Sequence, residues 1–330
     1  MTRRVLVTGC SGFLGGEIVR QCLARGDDAV GLSRRLTPDL VHLGMAHHRG
    51  DLLDTSYLKR VIHDVDVVVH TAAVAGIWGP SQFFFDNNVV ATRNVIDACR
   101  HAGVSQLIFT SSPSVTFDGN DQSGIDEAAA SYPDRWMCEY PRTKAIAEQE
   151  VLAANDKAGL RTVALRPHLI WGPGDPHLLP RILERARTGR LRIVGNGTNR
   201  IDTVHIVNAA AAHLDAMDAL SSQPELASGR AYFIAQDEPV ACWPWIARLC
   251  EMHAVTPPSK QISYSAAKRL GSVLEAIYRV TGRRSEPPMT RFVAAQLAKD
   301  HYFDISAAKQ HLGYHVRMSM EEGLQSLLPQ

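Results

Sequence analysis

Apolar positions near the start of the chain change period once. Val5, Leu6 and Val7 form a short continuous run, polar and glycine positions follow from Thr8 to Gly12, and Ile18, Val19, Cys22 and Leu23 then recur at helical spacing. This pattern predicts a strand, a tight turn and a helix. The same change repeats along the chain: residues 29–32, 65–70, 106–111 and 162–165 read as strands, and residues 57–62, 88–102 and 142–154 as helices. Such alternation implies an α/β fold, a doubly wound parallel sheet of the Rossmann type covered on both faces. After Pro167 a turn-rich passage from Trp171 to Pro176 leads to a helix at 179–188. A helix at 206–220 and a strand at 231–234 then return to the sheet. The expected organisation is a dinucleotide-binding core over 1–170, rejoined by 200–236, and a smaller C-terminal substrate lobe from 171–199 and 237–330. Ligands of such sheets bind beyond the strand ends, so the lobe segments are expected to form the substrate pocket.

Charge removes several functions. Lys and Arg total 35 against 34 Asp and Glu, and the net charge of +1 shows no basic block that would favour nucleic acid or an anionic membrane surface. No apolar run reaches the length needed to span a bilayer. The six cysteines are scattered without a Cys-x-x-Cys pair, which points to reduced thiols and a cytoplasmic protein. None of the 14 histidines falls in a His-Glu-x-x-His pattern, and no metal is expected.

Chemistry concentrates first at the predicted turn. Gly9, Gly12 and Gly15 are spaced Gly-x-x-Gly-x-x-Gly, a departure from the more general Gly-x-Gly-x-x-Gly fingerprint. Between strand and helix, glycines allow a positive φ, close approach of backbone to a pyrophosphate and close helix packing. The amides of Ser11, Gly12, Phe13, Leu14 and Gly15 then face the phosphates without a cationic side chain. The second strand runs into Ser33, Arg34 and Arg35 rather than an acidic residue, and a hydroxyl with two guanidinium forks suits a 2′-phosphate. NADP(H) is therefore favoured, with NAD(H) still open. Asp51 and Leu52, and Thr71, Ala72 and Ala73, follow strand ends and are expected near the adenine and the phosphates.

The reacting groups are expected at Tyr140 and Lys144, four residues apart and so on one helical face, with Pro141 suited to the first turn. A nearby ammonium stabilises tyrosinate and brings the phenol into a useful range for proton transfer. Tyr264 and Lys268 repeat the spacing. Only Tyr140 follows a strand ending in Ser111 and Ser112, where a hydroxyl could share its carbonyl oxygen, so Tyr264 reads as packing.

Taken together, these motifs resemble the extended short-chain dehydrogenase/reductases: the glycine spacing, the Thr71-Ala72-Ala73 strand end, Asn87-Asn88-Val89, Ser112 and the Tyr140/Lys144 pair follow that family's order. The resemblance covers essentially the whole length. It is nearest to the 3β-hydroxysteroid dehydrogenase-like branch, which includes bacterial 2-alkyl-3-oxoalkanoate reductases. The residues carrying that likeness are 75–79, the run from Arg166 to Gly174, and 286–292. The resemblance implies Ser112 and Tyr140 on the substrate oxygen, with Ser111 and Ser114 as alternative hydroxyls. It also implies Lys144 on the nicotinamide ribose, and Asn88, Pro167 and Leu169 near the cofactor. Trp78, Trp136, His168 and Arg200 are expected to contact substrate, Arg200 through an anion. Aromatic residues at Trp78, Phe83, Phe84, Phe85, Trp136 and Trp171 favour a hydrophobic ketone or alcohol: a 3-oxo or 3-hydroxy acid such as a 2-alkyl-3-oxoalkanoate, or a 3β-hydroxysteroid. The family's pairing of two long helices implies a homodimer. Two rival readings stand beside this one, an NAD-linked sugar-nucleotide epimerase or dehydratase and a dinucleotide-sensing module without turnover.

Overall fold

Seven parallel strands form the centre of the computed structural model, which describes residues 2–156 and 158–328. They are β1 (Arg4–Thr8), β2 (Asp28–Ser33), β3 (Ala46–Arg49), β4 (Val67–His70), β5 (Gln106–Thr110), β6 (Arg161–Pro167) and β7 (Arg230–Ile234). Their spatial order is β7-β6-β5-β4-β1-β2-β3. The order reverses between β1 and β4, and the carboxyl ends of those two strands open a crevice.

Alternate residues of each strand supply the two faces of the sheet. Val5, Val7, Val67, Val69, Val163 and Leu165 pack beneath α1 (Phe13–Ala24) and α4 (Ile206–Ser222). Leu6, Val68, Leu107, Phe109 and Ala164 pack on the other side beneath α2 (Ala91–Ala102) and α3 (Glu139–Ala153). Continuous apolar runs are the expected sign of strands buried on both faces.

The strand β3 lacked that sign. Its sequence Ala-His-His-Arg is partly to fully exposed, as an edge strand permits. The helix expected from residue 88 begins earlier, with an α-helical turn at Ser81–Phe84, passes through a π-helix over Phe85–Val90 and is α-helical again from Ala91. The wider π turn has no distinct apolar period and was invisible to a 3.6-residue template.

A smaller four-stranded sheet joins Val240–Ala241, Arg200–Ile201, His301–Phe303 and Gln122–Ile125, so it draws one strand from the first half of the chain. Its neighbour is an apolar cluster containing Trp171, Trp243, Trp245, Ile246 and Leu249. The long helix α5 (Tyr264–Val280) covers the crevice side of this lobe. No helix among the described residues is long and apolar enough to cross a membrane.

Candidate active site

The turn after β1 carries the conformations its glycines permit. Gly9 has φ +72°, and its amide donates to Leu32 O at 2.8 Å, tying the turn to β2. A Cβ on Gly15 would lie 2.4 Å from Gly9 O, so only glycine lets α1 sit this close to the turn. Gly12 caps α1 without a side-chain hydrogen bond, leaving first-turn amides to meet an anion. Beneath the loop, Thr8 Oγ1 meets His70 Nδ1 at 2.7 Å and His70 Nε2 meets Thr92 Oγ1 at 3.0 Å. Burial pushes His70 down to about 3, so it serves as a neutral strut.

A cleft of about 670 Å³ runs over this turn, lined by Gly9, Ser11, Gly12, Phe13, Leu14, Gly15, Ser33, Arg34, Arg35, Asp51, Leu52, Thr71, Ala72, Ala73, Tyr140 and Lys144. Most of the expected cofactor residues thus share one wall. The structure adds Asn87, Thr110, Ile170, Asp175 and His177. Of these, Asn87 belongs to the Asn87-Asn88-Val89 motif, and Asp175 lies in the turn-rich stretch before a helix, whose amides at 177, 178 and 179 it caps.

Three expected cofactor residues stand behind the cleft. Asn88 is buried, accepts from Val74 N at 2.8 Å and donates to Thr143 Oγ1 at 3.0 Å, so it locks the strand end to α3. Pro167 ends β6, and Leu169 adopts φ +43° in the turn after it. Ser33 differs from expectation in its chemistry. Its hydroxyl donates to Arg35 O at 2.7 Å, receives Cys10 Sγ at 3.3 Å and meets His47 Nε2 at 3.0 Å, so it shapes the loop from within. Arg34 and Arg35 are exposed at the cleft, and Arg49, paired with Ser33 in the β2–β3 register, adds a third guanidinium beside them.

The expected reacting groups arrive from two elements. Ser112 follows β5 and caps the 3₁₀ turn Pro113–Thr116, and Tyr140 and Lys144 lie on α3. The Ser112 hydroxyl acts to lower the pKa of the Tyr140 phenol, but burial dominates and holds it above the ordinary value. Ser114 is 2.9 Å from Ser112 Oγ, and the Ser111 hydroxyl is buried without a partner at the cleft wall. Of the three hydroxyls, Ser112 is the one that bears on the phenol's acidity.

Lys144 departs from the expected picture. Its Nζ lies 3.9 Å from the centre of the Phe109 ring and donates to Thr110 O at 2.5 Å. Burial lowers it to about 7, and it is not among the groups that lower the phenol. Lys144 thus stands at the cleft wall on the Thr110 carbonyl.

Glu148 continues the same face of α3. It is fully buried, takes Tyr132 Oη at 2.5 Å and accepts two bonds from Arg166 of β6 at 2.6 and 3.0 Å. This bidentate pair fixes α3 against the sheet, and with it the azimuth of Tyr140.

A second cavity of about 360 Å³ adjoins the start of α3, lined by Ile77, Trp78, Phe84, Trp136, Met137, Cys138 and Phe292 together with Arg142, Arg279, Arg291, Glu139 and Glu275. Arg142 is held by Glu139 at 2.6 Å and Arg291 by Glu275 at 2.8 Å. Arg279 reaches the same Glu275 only at 3.4 Å and lies 5.5 Å over the Trp78 ring, so it is the least committed cation there.

Other expected substrate residues fall elsewhere. His168 is buried against His301 at 2.6 Å, and Arg200 donates to Pro239 O and covers the Tyr302 ring, so neither lines either cavity. His168 directly follows β6 and packs toward the small sheet through His301, and Arg200 lies in that sheet. Phe83 is exposed and Trp171 is buried against Trp245. Tyr264 packs near Phe292, with the ammonium of Lys268 over its ring rather than beside a carbonyl site.

Residues 6–263 match the model of the 3-beta hydroxysteroid dehydrogenase/isomerase family. The chain belongs to that family. It is 43% identical over 325 residues to a 2-alkyl-3-oxoalkanoate reductase of Stenotrophomonas maltophilia, covering 98% of both chains. The corresponding reductase of Shewanella oneidensis is also 43% identical, over 97% of this chain and 84% of its own length. A sterol-4-alpha-carboxylate 3-dehydrogenase, decarboxylating, of Mus musculus is 32% identical over 98% of this chain and 89% of its own. Among solved structures, MoeE5 in complex with UDP-glucuronic acid and NAD superposes with a TM-score of 0.73 at 26% identity, covering 98% of this chain and 97% of MoeE5. These relatives and the site make the protein a nicotinamide-dependent oxidoreductase of CH–OH groups, interconverting a ketone and a secondary alcohol. The epimerase reading fits them less well.

Proposed function

We propose that the protein reduces the 3-oxo group of a hydrophobic 2-alkyl-3-oxoalkanoate, with NADPH as the preferred reductant. The observation that carries this reading is the second cavity: an aromatic wall of Trp78, Trp136 and Phe292 with the loosely held guanidinium of Arg279, at the foot of the helix bearing Tyr140. The names of the relatives supply a shared chemistry. A 2-alkyl-3-oxoalkanoate and a 3-hydroxysterol 4-carboxylate each carry a carboxylate on the carbon beside the one that bears oxygen. The cavity offers apolar surface for the alkyl groups and a cation for that carboxylate.

When bound, the nicotinamide supplies hydride to the carbonyl carbon. Tyr140 delivers the proton to the developing alkoxide, and its raised pKa keeps it protonated for reduction. Ser112 orients the carbonyl oxygen and hydrogen-bonds the phenol. Lys144, at the cleft wall beside Tyr140, would hold the nicotinamide ribose. Exposed Arg34, Arg35 and Arg49 take the 2′-phosphate, which is the basis for preferring NADPH. The core acts as the cofactor-binding unit and the lobe closes the substrate side. A cytoplasmic homodimer through α2 and α3 completes the reading.

The test is a comparison of NADPH oxidation with 2-alkyl-3-oxoalkanoates, NADP⁺ reduction with 3β-hydroxysteroids, and turnover of UDP-sugars. The 2-alkyl-3-oxoalkanoate is expected to give the highest kcat/KM. Activity confined to a UDP-sugar would refute the assignment.

A further inference from the structure

Residues 126–138 join the small sheet to the start of α3 without a helix or strand of their own, yet their end supplies Trp136, Met137 and Cys138 to the wall of the second cavity. A loop of this length keeps one shape only where side chains hold it against the entropy of the free chain. Three side chains tie it down. Glu127 Oε1 accepts from Phe233 N of the edge strand β7 at 2.7 Å, Tyr132 Oη donates to Glu148 Oε1 at 2.5 Å, and Trp136 Nε1 donates to Val115 O at 3.3 Å.

The middle tie differs from the outer two. Glu148 is fully buried, lies on the face of α3 that carries Tyr140 and Lys144, and also takes the bidentate guanidinium of Arg166. A hydrogen bond to a carboxylate is about twice as strong as one between neutral groups. Burial and the adjacent carboxylate push the Tyr132 phenol above its usual range, so it stays a donor. Arg166 also lies over the Tyr132 ring, 5.8 Å from its centre. Phenol, carboxylate and guanidinium thus form one unit in which the loop, α3 and β6 meet. Further along, Trp136 seats on the 3₁₀ turn Pro113–Thr116 that Ser112 caps. The wall of the second cavity is therefore hung between the two elements that carry Ser112 and Tyr140.

We propose that Tyr132 is a positioning residue for substrate selection: by holding the loop on Glu148 it sets where Trp136 and Met137 stand, and so how large an alkyl group the second cavity accepts. This rests on the reading of that cavity as the substrate site. Tyr132 itself lines neither cavity, so its effect passes through the loop. A wall left free to move must be ordered again by each substrate that leans on it, at a cost in affinity. A short ketone that does not reach the aromatic wall bears no such cost.

Tyr132→Phe removes the hydroxyl and keeps the ring beneath Arg166, and Glu148 retains both bonds from that guanidinium, so the variant is expected to fold with a urea midpoint near that of the wild type. Its KM for a long-chain substrate is expected to rise about tenfold, while KM for a short homologue, kcat on both and NADPH affinity stay within about twofold. Trypsin cleavage after the exposed Arg135 is expected to quicken about tenfold in the same variant, because the loop opens more often. Unchanged cleavage, an unchanged KM for the long-chain substrate, or equal losses on long and short homologues overturns the proposal. So does a fall in kcat at constant KM, which would transfer the effect of the anchor to α3 and the Tyr140 phenol. Turnover is read on long and short homologues of whichever hydrophobic ketone the wild type reduces fastest, and cleavage is read without substrate. Failure of 2-alkyl-3-oxoalkanoates as substrates therefore counts against the proposed function alone.

Discussion

Lys144 is enclosed by the Phe109 ring and the Thr110 carbonyl, and burial lowers it from 10.5 to about 7. An unfolded chain binds this proton up to about 10.5, so between about 7 and 10.5 it holds more protons than the folded one, and this group makes stability rise with pH. Chemical denaturation of cofactor-free protein across that window is expected to show a rise that Lys144→Met flattens; an unchanged slope would place the ammonium in solvent. Arg279 is the corresponding group on the substrate side. Arg279→Gln is expected to raise KM for a 2-alkyl-3-oxoalkanoate about 10- to 100-fold, the cost of one charge-assisted hydrogen bond, with kcat nearly unchanged and little effect on a neutral ketone of the same size. Equal losses on acid and ketone would assign Arg279 to packing against Trp78.

Helix α3 carries Tyr140, Lys144 and Glu148 on one face, and the Glu148–Arg166 pair ties that face to β6. Removing one partner strands a buried charge, so Arg166→Met is expected to destabilise the fold by about 3–5 kcal/mol in urea unfolding. A change below about 1 kcal/mol would show that apolar packing alone sets the helix. The elements around the site differ in how far the sequence revealed them. β1, its glycine turn and α1 were legible because strand period, turn chemistry and helix period follow one another without a gap. β3 was legible only as a strand end before Asp51, without bounds, since an exposed edge pair of histidines carries no apolar signal. Ile170 and His177 reach the cleft only because a turn folds back over it, a tertiary event with no local pattern. On α5 spacing and exposure diverge: apolar residues at steps of three and four commonly mark a buried face, and here that face is open.

At the scale of the molecule, the near-zero net charge concealed a local concentration of arginine. It gathers Arg34, Arg35 and Arg49 at the adenine end of the cleft, and Arg34→Ala/Arg35→Ala is expected to weaken NADPH binding about 10- to 100-fold while NADH binding stays nearly constant; parallel losses would remove the 2′-phosphate from the account. The sheet reversal at β1 and β4 sets the crevice, core and lobe together line the second cavity, and α3 runs between them, so that in the proposed reading Tyr140 stands between dinucleotide and substrate. That junction is the central claim, and the most direct measurement is steady-state NADPH-dependent reduction of a 2-alkyl-3-oxoalkanoate by Tyr140→Phe alongside fluorescence titration of the same protein with NADPH. The account predicts turnover lowered about 10²- to 10⁴-fold with NADPH affinity nearly intact. Wild-type turnover by that variant would contradict it.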